Sequence, residues 1–137
     1  MHSHTRSSRS RVLLTGFDAF GGATLNPSGL AVQALHGRQV RGHTVVAAQL
    51  PTVFGASMQV LDALLAKHQP ALVICVGQAG GRSAISLERV AINVDDAPIP
   101  DNAGARPVDR PSVAEGKSAD FGGRPIMNKQ ATLQREG

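Results

Sequence analysis

The chain has 137 residues, 42% hydrophobic and 18% charged, which is the composition of one globular domain with a single packed core. No apolar run approaches the roughly 20 residues that cross a bilayer, and the opening MHSHTRSSRS lacks the apolar centre of a secretory signal. These features argue against a membrane protein and for a cytoplasmic one. The single cysteine, Cys75, excludes an internal disulfide and a multi-cysteine metal site.

The formal charge of +4 is concentrated at one end, because Arg6, Arg9 and Arg11 have no acid among them and the remainder is close to neutral. With no Trp, no Tyr and four Phe, the chain has no platform for stacking bases, so nucleic acid is not an expected partner. Residues 1–10 read as a disordered basic tail and residues 11–137 as one α/β domain.

Ordered patterning begins with Val12, Leu13 and Leu14, a short apolar run ending at Thr15-Gly16, the profile of a strand buried on both faces. A loop over 17–25 follows, and Asn26-Pro27-Ser28 then supplies a helix N-cap and a proline suited to a first turn. This helix is predicted to reach His36 and stop at Gly37. Residues 44–50 (TVVAAQL) read as a second strand ended by Pro51, and 54–68 as a helix with Val60, Leu61, Leu64 and Leu65 at helical spacing. Residues 71–76 (ALVICV) read as a third, doubly buried strand opening into the glycine-rich turn 77–82. Residues 88–94 alternate as a further strand, 98–119 read as a long surface loop, and 125–136 as the start of a helix.

The alternation of strand and helix predicts an α/β fold, a central twisted, mostly parallel sheet between helical layers, whose strands deliver their following loops to one edge. If the first and third strands are parallel neighbours, the 17–25 loop faces the 77–82 turn across a crevice. The architecture reads as cut short, since nothing follows to cover the last helix. An exposed sheet edge and uncovered apolar surface then predict aggregation or low stability unless self-association covers them.

Several residues are candidates for chemistry. Phe17 and Phe20 lie just past a buried strand, where two rings either pack against the sheet or sandwich a flat ligand; spacing alone leaves both open. The turn GQAGGR invites a phosphate but lacks the lysine and the spacing of a phosphate loop. Cys75, flanked by Leu72-Val73-Ile74 and Val76, reads as a core thiol. Asp95 and Asp96 are adjacent, so on a strand they point to opposite faces and make a poor metal or acid–base pair. Glu88 can orient an imidazole, although spacing alone favours a salt bridge with a neighbouring arginine.

Three stretches together resemble the pyroglutamyl peptidase I, or pyrrolidone-carboxylate peptidase, family of cysteine omega-peptidases: RVLLTGFDAFGGATLN from Arg11 with Pro27-Ser28, then Leu50-Pro51-Thr52-Val53-Phe54, and GQAGGRSAISLERVAIN from Gly77 with Ile99-Pro100-Asp101-Asn102. The resemblance implies a phosphorylase/hydrolase-like three-layer α/β sandwich and removal of N-terminal pyroglutamate from peptides. It also implies a homo-oligomer acting without a metal or organic cofactor. By position it makes Glu88 the glutamate that orients the histidine of a Cys-His-Glu triad, Phe17 and Phe20 the rings that hold pyroglutamate, and Asn26 and Gln78 polar residues of the same site. Pro98 stands where the family is expected to carry arginine. The family's nucleophilic cysteine and its histidine fall beyond these residues. The chain alone is therefore expected to bind rather than turn over, with a non-catalytic pyroglutamyl- or peptide-binding protein as the alternative.

Overall fold

The computed structural model describes residues 10–89 and 92–111, together with the backbone of 120–121 and 124–125. Strand β1 (Arg11–Phe17) runs past the predicted stop at Gly16 and buries Leu13, Leu14, Thr15 and Gly16 in succession, as a central strand must. Helix α1 (Pro27–Gln33) starts where the sequence places it. Asn26 is extended and its side chain accepts the Ser28 N–H, with proline in the first turn. The helix ends three residues before His36; 34–37 continue as turns, and the chain reverses at Gly37.

A short strand, β2 (Gln39–Val40), precedes β3 (His43–Leu50) and pairs with it antiparallel. It has no counterpart in the sequence reading. Its signal was the two-residue turn Arg41-Gly42, both with positive φ (48° and 80°), the geometry that joins tight hairpins. Helix α2 (Ala56–His68) then leads to β4 (Leu72–Cys75).

The sheet order is β2-β3-β1-β4, with β1 parallel to both β3 and β4. Because the chain steps from β1 to β3 in one direction and from β3 to β4 in the other, right-handed crossovers put α1 and α2 on opposite faces. Val32 of α1 packs with Leu14 and Val45, supported by Val12, Ala47 and Val76. In register, Leu13 and Thr15 belong to the other face with Val46, Val73, Ala48 and Cys75. This is the α/β arrangement expected from the alternation of elements.

Expectation and structure part company at four further elements. The 71–76 run is not doubly buried: Leu72 is 52% and Ile74 44% exposed, because β4 pairs with β1 on one side and, among the described residues, with no strand on the other. The strand expected over 88–94 is replaced by irregular, exposed backbone through Arg89, with 90–91 outside the described residues; only Val94–Asp95 forms a strand, β5. Within the expected 98–119 loop, β6 (Arg110–Pro111) pairs with β5, and the Ala97 N–H donates to the Pro107 carbonyl at 3.0 Å. A separate two-residue pairing joins β7 (Asp120–Phe121) to β8 (Arg124–Pro125), which takes Pro125 out of the expected 125–136 helix; 126–136 lie outside the described residues, as do 1–9 of the basic tail.

Candidate active site

Parallel pairing of β1 with β4 sends the 17–25 loop and the 77–82 turn from the same edge of the sheet. That edge lies where the crossovers change face, the position at which open α/β sheets hold ligands. The Val76 N–H donates to the Thr15 carbonyl at 2.7 Å and fixes the two strand ends together. Phe17 closes β1 and Phe20 sits in the loop, both half-buried; the Phe20 carbonyl accepts from the Ala23 N–H at 3.2 Å. Gln78 is exposed in the turn after β4.

Asn26 is buried, and its amide is engaged at both ends. Its nitrogen donates to the Asp18 carbonyl at 2.9 Å, while its oxygen accepts the Ser28 N–H at 3.0 Å and the Ser28 hydroxyl at 2.8 Å. The Phe17 N–H donates to Ser28 Oγ at 3.0 Å, so the loop and the first turn of α1 hold each other. Gly16 and Gly29 make this contact possible: an added Cβ on Gly16 would lie 2.5 Å from the Ser28 carbonyl oxygen, and one on Gly29 2.6 Å from that of Phe17.

The sequence reading did not single out Asp18 or Thr52 and used Asp101-Asn102 only as part of a motif, yet these residues tie three loops into one unit. Asp18 Oδ1 accepts the Thr52 N–H at 2.7 Å and the Thr52 hydroxyl at 2.6 Å. Asn102 donates its side-chain N–H to the Ala19 carbonyl at 2.8 Å and to Asp18 Oδ1 at 3.3 Å, and its backbone N–H to the Thr52 carbonyl at 3.0 Å. Asp101 is buried, with Oδ2 accepting the Phe54 N–H at 2.8 Å and Oδ1 the N–H groups of Ala103 and Ala105 at 2.9 and 2.8 Å. Burial opposes its ionisation, but the N–H groups of Phe54, Ala105, Ala103 and Gly104 outweigh that and hold its carboxyl below the usual aspartate range.

Glu88 forms an ion pair with Arg82 at 3.0 Å, both side chains about half exposed. The pairing with a nearby arginine that spacing favoured is present. Beside it Ile85 and Leu87 are 98% and 91% exposed, so this stretch presents apolar side chains to solvent. Cys75 is half-buried in β4, less enclosed than its apolar neighbours imply. Asp95 and Asp96 diverge as expected: Asp95 lies 3.9 Å from Arg110, and Asp96 accepts the Asp109 N–H at 3.2 Å. Burial raises the Asp95 carboxyl above its usual range, with Arg110 acting in opposition. Among the described residues, no group of three or more His, Cys, Asp or Glu side chains is placed to hold a metal ion, and no helix is long and apolar enough to cross a membrane.

The family model described as pyroglutamyl peptidase matches residues 10–137. The chain belongs to the pyroglutamyl peptidase family. The pyrrolidone-carboxylate peptidase of Bacillus licheniformis is 50% identical over 127 residues, covering 93% of this chain and 59% of the relative. That of Cupriavidus taiwanensis is 56% identical over 126 residues, covering 92% and 58%. The crystal structure of pyroglutamyl peptidase I from Bacillus amyloliquefaciens superposes with a TM-score of 0.74 at 52% identity, over 79% of this chain and 52% of that one. The chain thus spans somewhat under three-fifths of the length of the curated relatives it matches.

Proposed function

We propose that this chain carries the ring-binding loop and the orienting glutamate of a cysteine-type omega-peptidase that removes N-terminal pyroglutamate from peptides. The observation that carries the reading is the parallel β1–β4 pairing, which brings the Phe17/Phe20 loop and the Gly77 turn to one edge of the sheet in a chain of this family. Pyroglutamate is a flat, uncharged lactam with one N–H and one carbonyl. In this reading Phe17 and Phe20 cover its ring and Gln78 meets its polar edge, while Asn26, whose amide is already engaged, shapes the loop. Two rings and a neutral amide offer an ordinary ammonium terminus no anionic partner, so it would be desolvated at a cost that the lactam does not meet.

Glu88 leaves Arg82 and accepts the N–H of an imidazole, fixing the tautomer whose other nitrogen takes the proton of a thiol. The thiolate attacks the carbonyl carbon of the scissile bond, the imidazolium gives its proton to the departing amine, and water then hydrolyses the acyl-enzyme, releasing pyroglutamate and restoring the thiol. No residue of this chain is assigned as that thiol or imidazole; Cys75, within β4, is not offered for the role. Action on peptides in the cytoplasm and self-association belong to the same proposal, the latter supported by the edge of β4, which among the described residues has no strand beside it.

Calorimetric titration of this chain with pyroglutamyl amide tests ring binding, and a hydrolysis assay on this chain joined to a relative's segment that carries the thiol and imidazole tests the chemistry. Binding weakened by Phe20→Ala, with hydrolysis by the joined protein abolished by Glu88→Gln, supports the reading. Binding without hydrolysis by the joined protein favours a non-catalytic pyroglutamyl-binding protein, and no binding at all refutes both.

A further inference from the structure

We propose that Asp18 is the positioning residue of the ring-binding loop, acting through Thr52 and Asn102 to hold Phe17 and Phe20 in the shape that receives the ligand. The inference rests on the proposed pyroglutamyl-binding reading for its ligand and on hydrogen bonds alone for its geometry. The 17–25 loop contains Gly21 and Gly22, both with positive φ (63° and 79°), and its residues 22–25 are exposed, so little packing of its own fixes it. What fixes it is polar and comes from elsewhere in the chain. One carboxylate oxygen of Asp18 receives the backbone and side-chain donors of Thr52, two residues past the end of β3, and the amide of Asn102. The Asp18 carbonyl meanwhile receives the Asn26 amide, and its N–H donates to the Leu50 carbonyl at 3.1 Å. Asp18 thus stands between the two aromatic residues with its backbone and its side chain both restrained.

Asn102 adds a second strut by donating to Ala19, the residue next to Phe20. The segment that carries Asn102 is itself anchored by buried Asp101, so the strut has a firm base. A charge-assisted acceptor with three donors is the strong form of such a clasp, and no apolar side chain can replace it. Asp18 does not meet the ligand. It sets where the rings stand, and a shift of about 1 Å in such groups is enough to abolish productive binding.

The test uses the whole chain with Asp18→Ala, Asn102→Ala and the conservative Asp18→Asn, which keeps the accepting oxygen. Two readouts are made: hydrogen exchange of the 18–26 segment compared with β1 and β3, and titration with pyroglutamyl amide. Asp18→Ala is expected to speed exchange across 18–26 at least tenfold while β1 and β3 stay protected, and to weaken pyroglutamyl amide binding at least tenfold. Asp18→Asn is expected to recover most of both, and Asn102→Ala to give the same pattern in milder form. Unchanged exchange across 18–26 in Asp18→Ala overturns the clasp. Faster exchange with unchanged binding overturns its role in positioning the rings. If Asp18→Ala does not fold, Asn102→Ala decides by the same two readouts. If the unsubstituted chain binds no pyroglutamyl amide, the functional reading fails, and the exchange readout alone supports or overturns the clasp.

Discussion

Replacing Gly16 by alanine tests the close approach on which the proposed ring-binding loop is built. The new methyl carbon would stand 2.5 Å from the Ser28 carbonyl oxygen, 2.6 Å from its carbon and 2.7 Å from the Gly29 Cα. Ordinary contacts begin about 1 Å farther out, and all three atoms are backbone, so no side-chain rotation relieves the clash. The first turn of α1 must lift from β1. Forcing an extra methyl into a closed contact costs about 1–3 kcal/mol, and losing the hydrogen bond from the Phe17 N–H to Ser28 Oγ adds about 1 kcal/mol. Val32, 1% exposed beneath the same helix, loses part of its packing as well. The expected loss is about 2–4 kcal/mol in urea denaturation followed by far-UV circular dichroism. Gly77→Ala is the matched control. Its added Cβ meets nothing within 4 Å, so its stability should stay within about 0.5 kcal/mol of the unsubstituted chain. A Gly16→Ala variant within about 1 kcal/mol of the unsubstituted chain would refute the argument.

Thr15 is fully buried and its hydroxyl has no hydrogen-bond partner among the described residues, so Thr15→Val should raise stability by about 1 kcal/mol, read as a higher denaturation midpoint. Asp101 is held below the usual aspartate range in the fold, so its contribution is fully present above about pH 4 and is lost as pH falls through its lowered value. Asp101→Asn should therefore be less stable at pH 7 and show a shallower loss of stability as pH falls below about 4 in acid denaturation series. Replacing both Leu72 and Ile74 by lysine should cut self-association seen by light scattering, at a cost below about 1 kcal/mol because both are about half exposed. Unchanged scattering would show that β4 is not the sticky edge.

Local chemistry was legible in the sequence, and long-range company was not. The cap at Asn26, the proline behind it and the buried run of β1 depend on residues within a few positions of one another, and the structure has each of them. The run 71–76 has the same apolar character as β1, yet whether such a strand is enclosed depends on how many strands flank it, which composition does not encode. Glu88 illustrates the same limit. Its alternating neighbours read as a strand, but alternation makes a strand only where a partner ladder is present, and the backbone here is irregular. The clasp was hidden for a related reason, since Asp18 meets Thr52 across 34 positions and Asn102 across 84. Polar residues in loops carry no periodicity to betray such pairings.

The two halves of the candidate site are held in different ways, and the difference bears on how it would work. The loop of Phe17 and Phe20 is pinned by half-buried hydrogen bonds to Thr52 and Asn26 and by an exposed one from Asn102, whose neighbour Asp101 is buried, an arrangement suited to a pocket formed before its ligand arrives. Glu88 instead rests on an exposed ion pair with Arg82, and exposed pairs are worth roughly 0–1 kcal/mol. A carboxylate so weakly held can exchange its arginine for an imidazole at little energetic cost. In the proposed chemistry a firmly held loop and a readily released glutamate divide the labour, because recognition of a small lactam demands fixed walls, whereas the histidine's orienting partner needs only a weak hold on its own arginine.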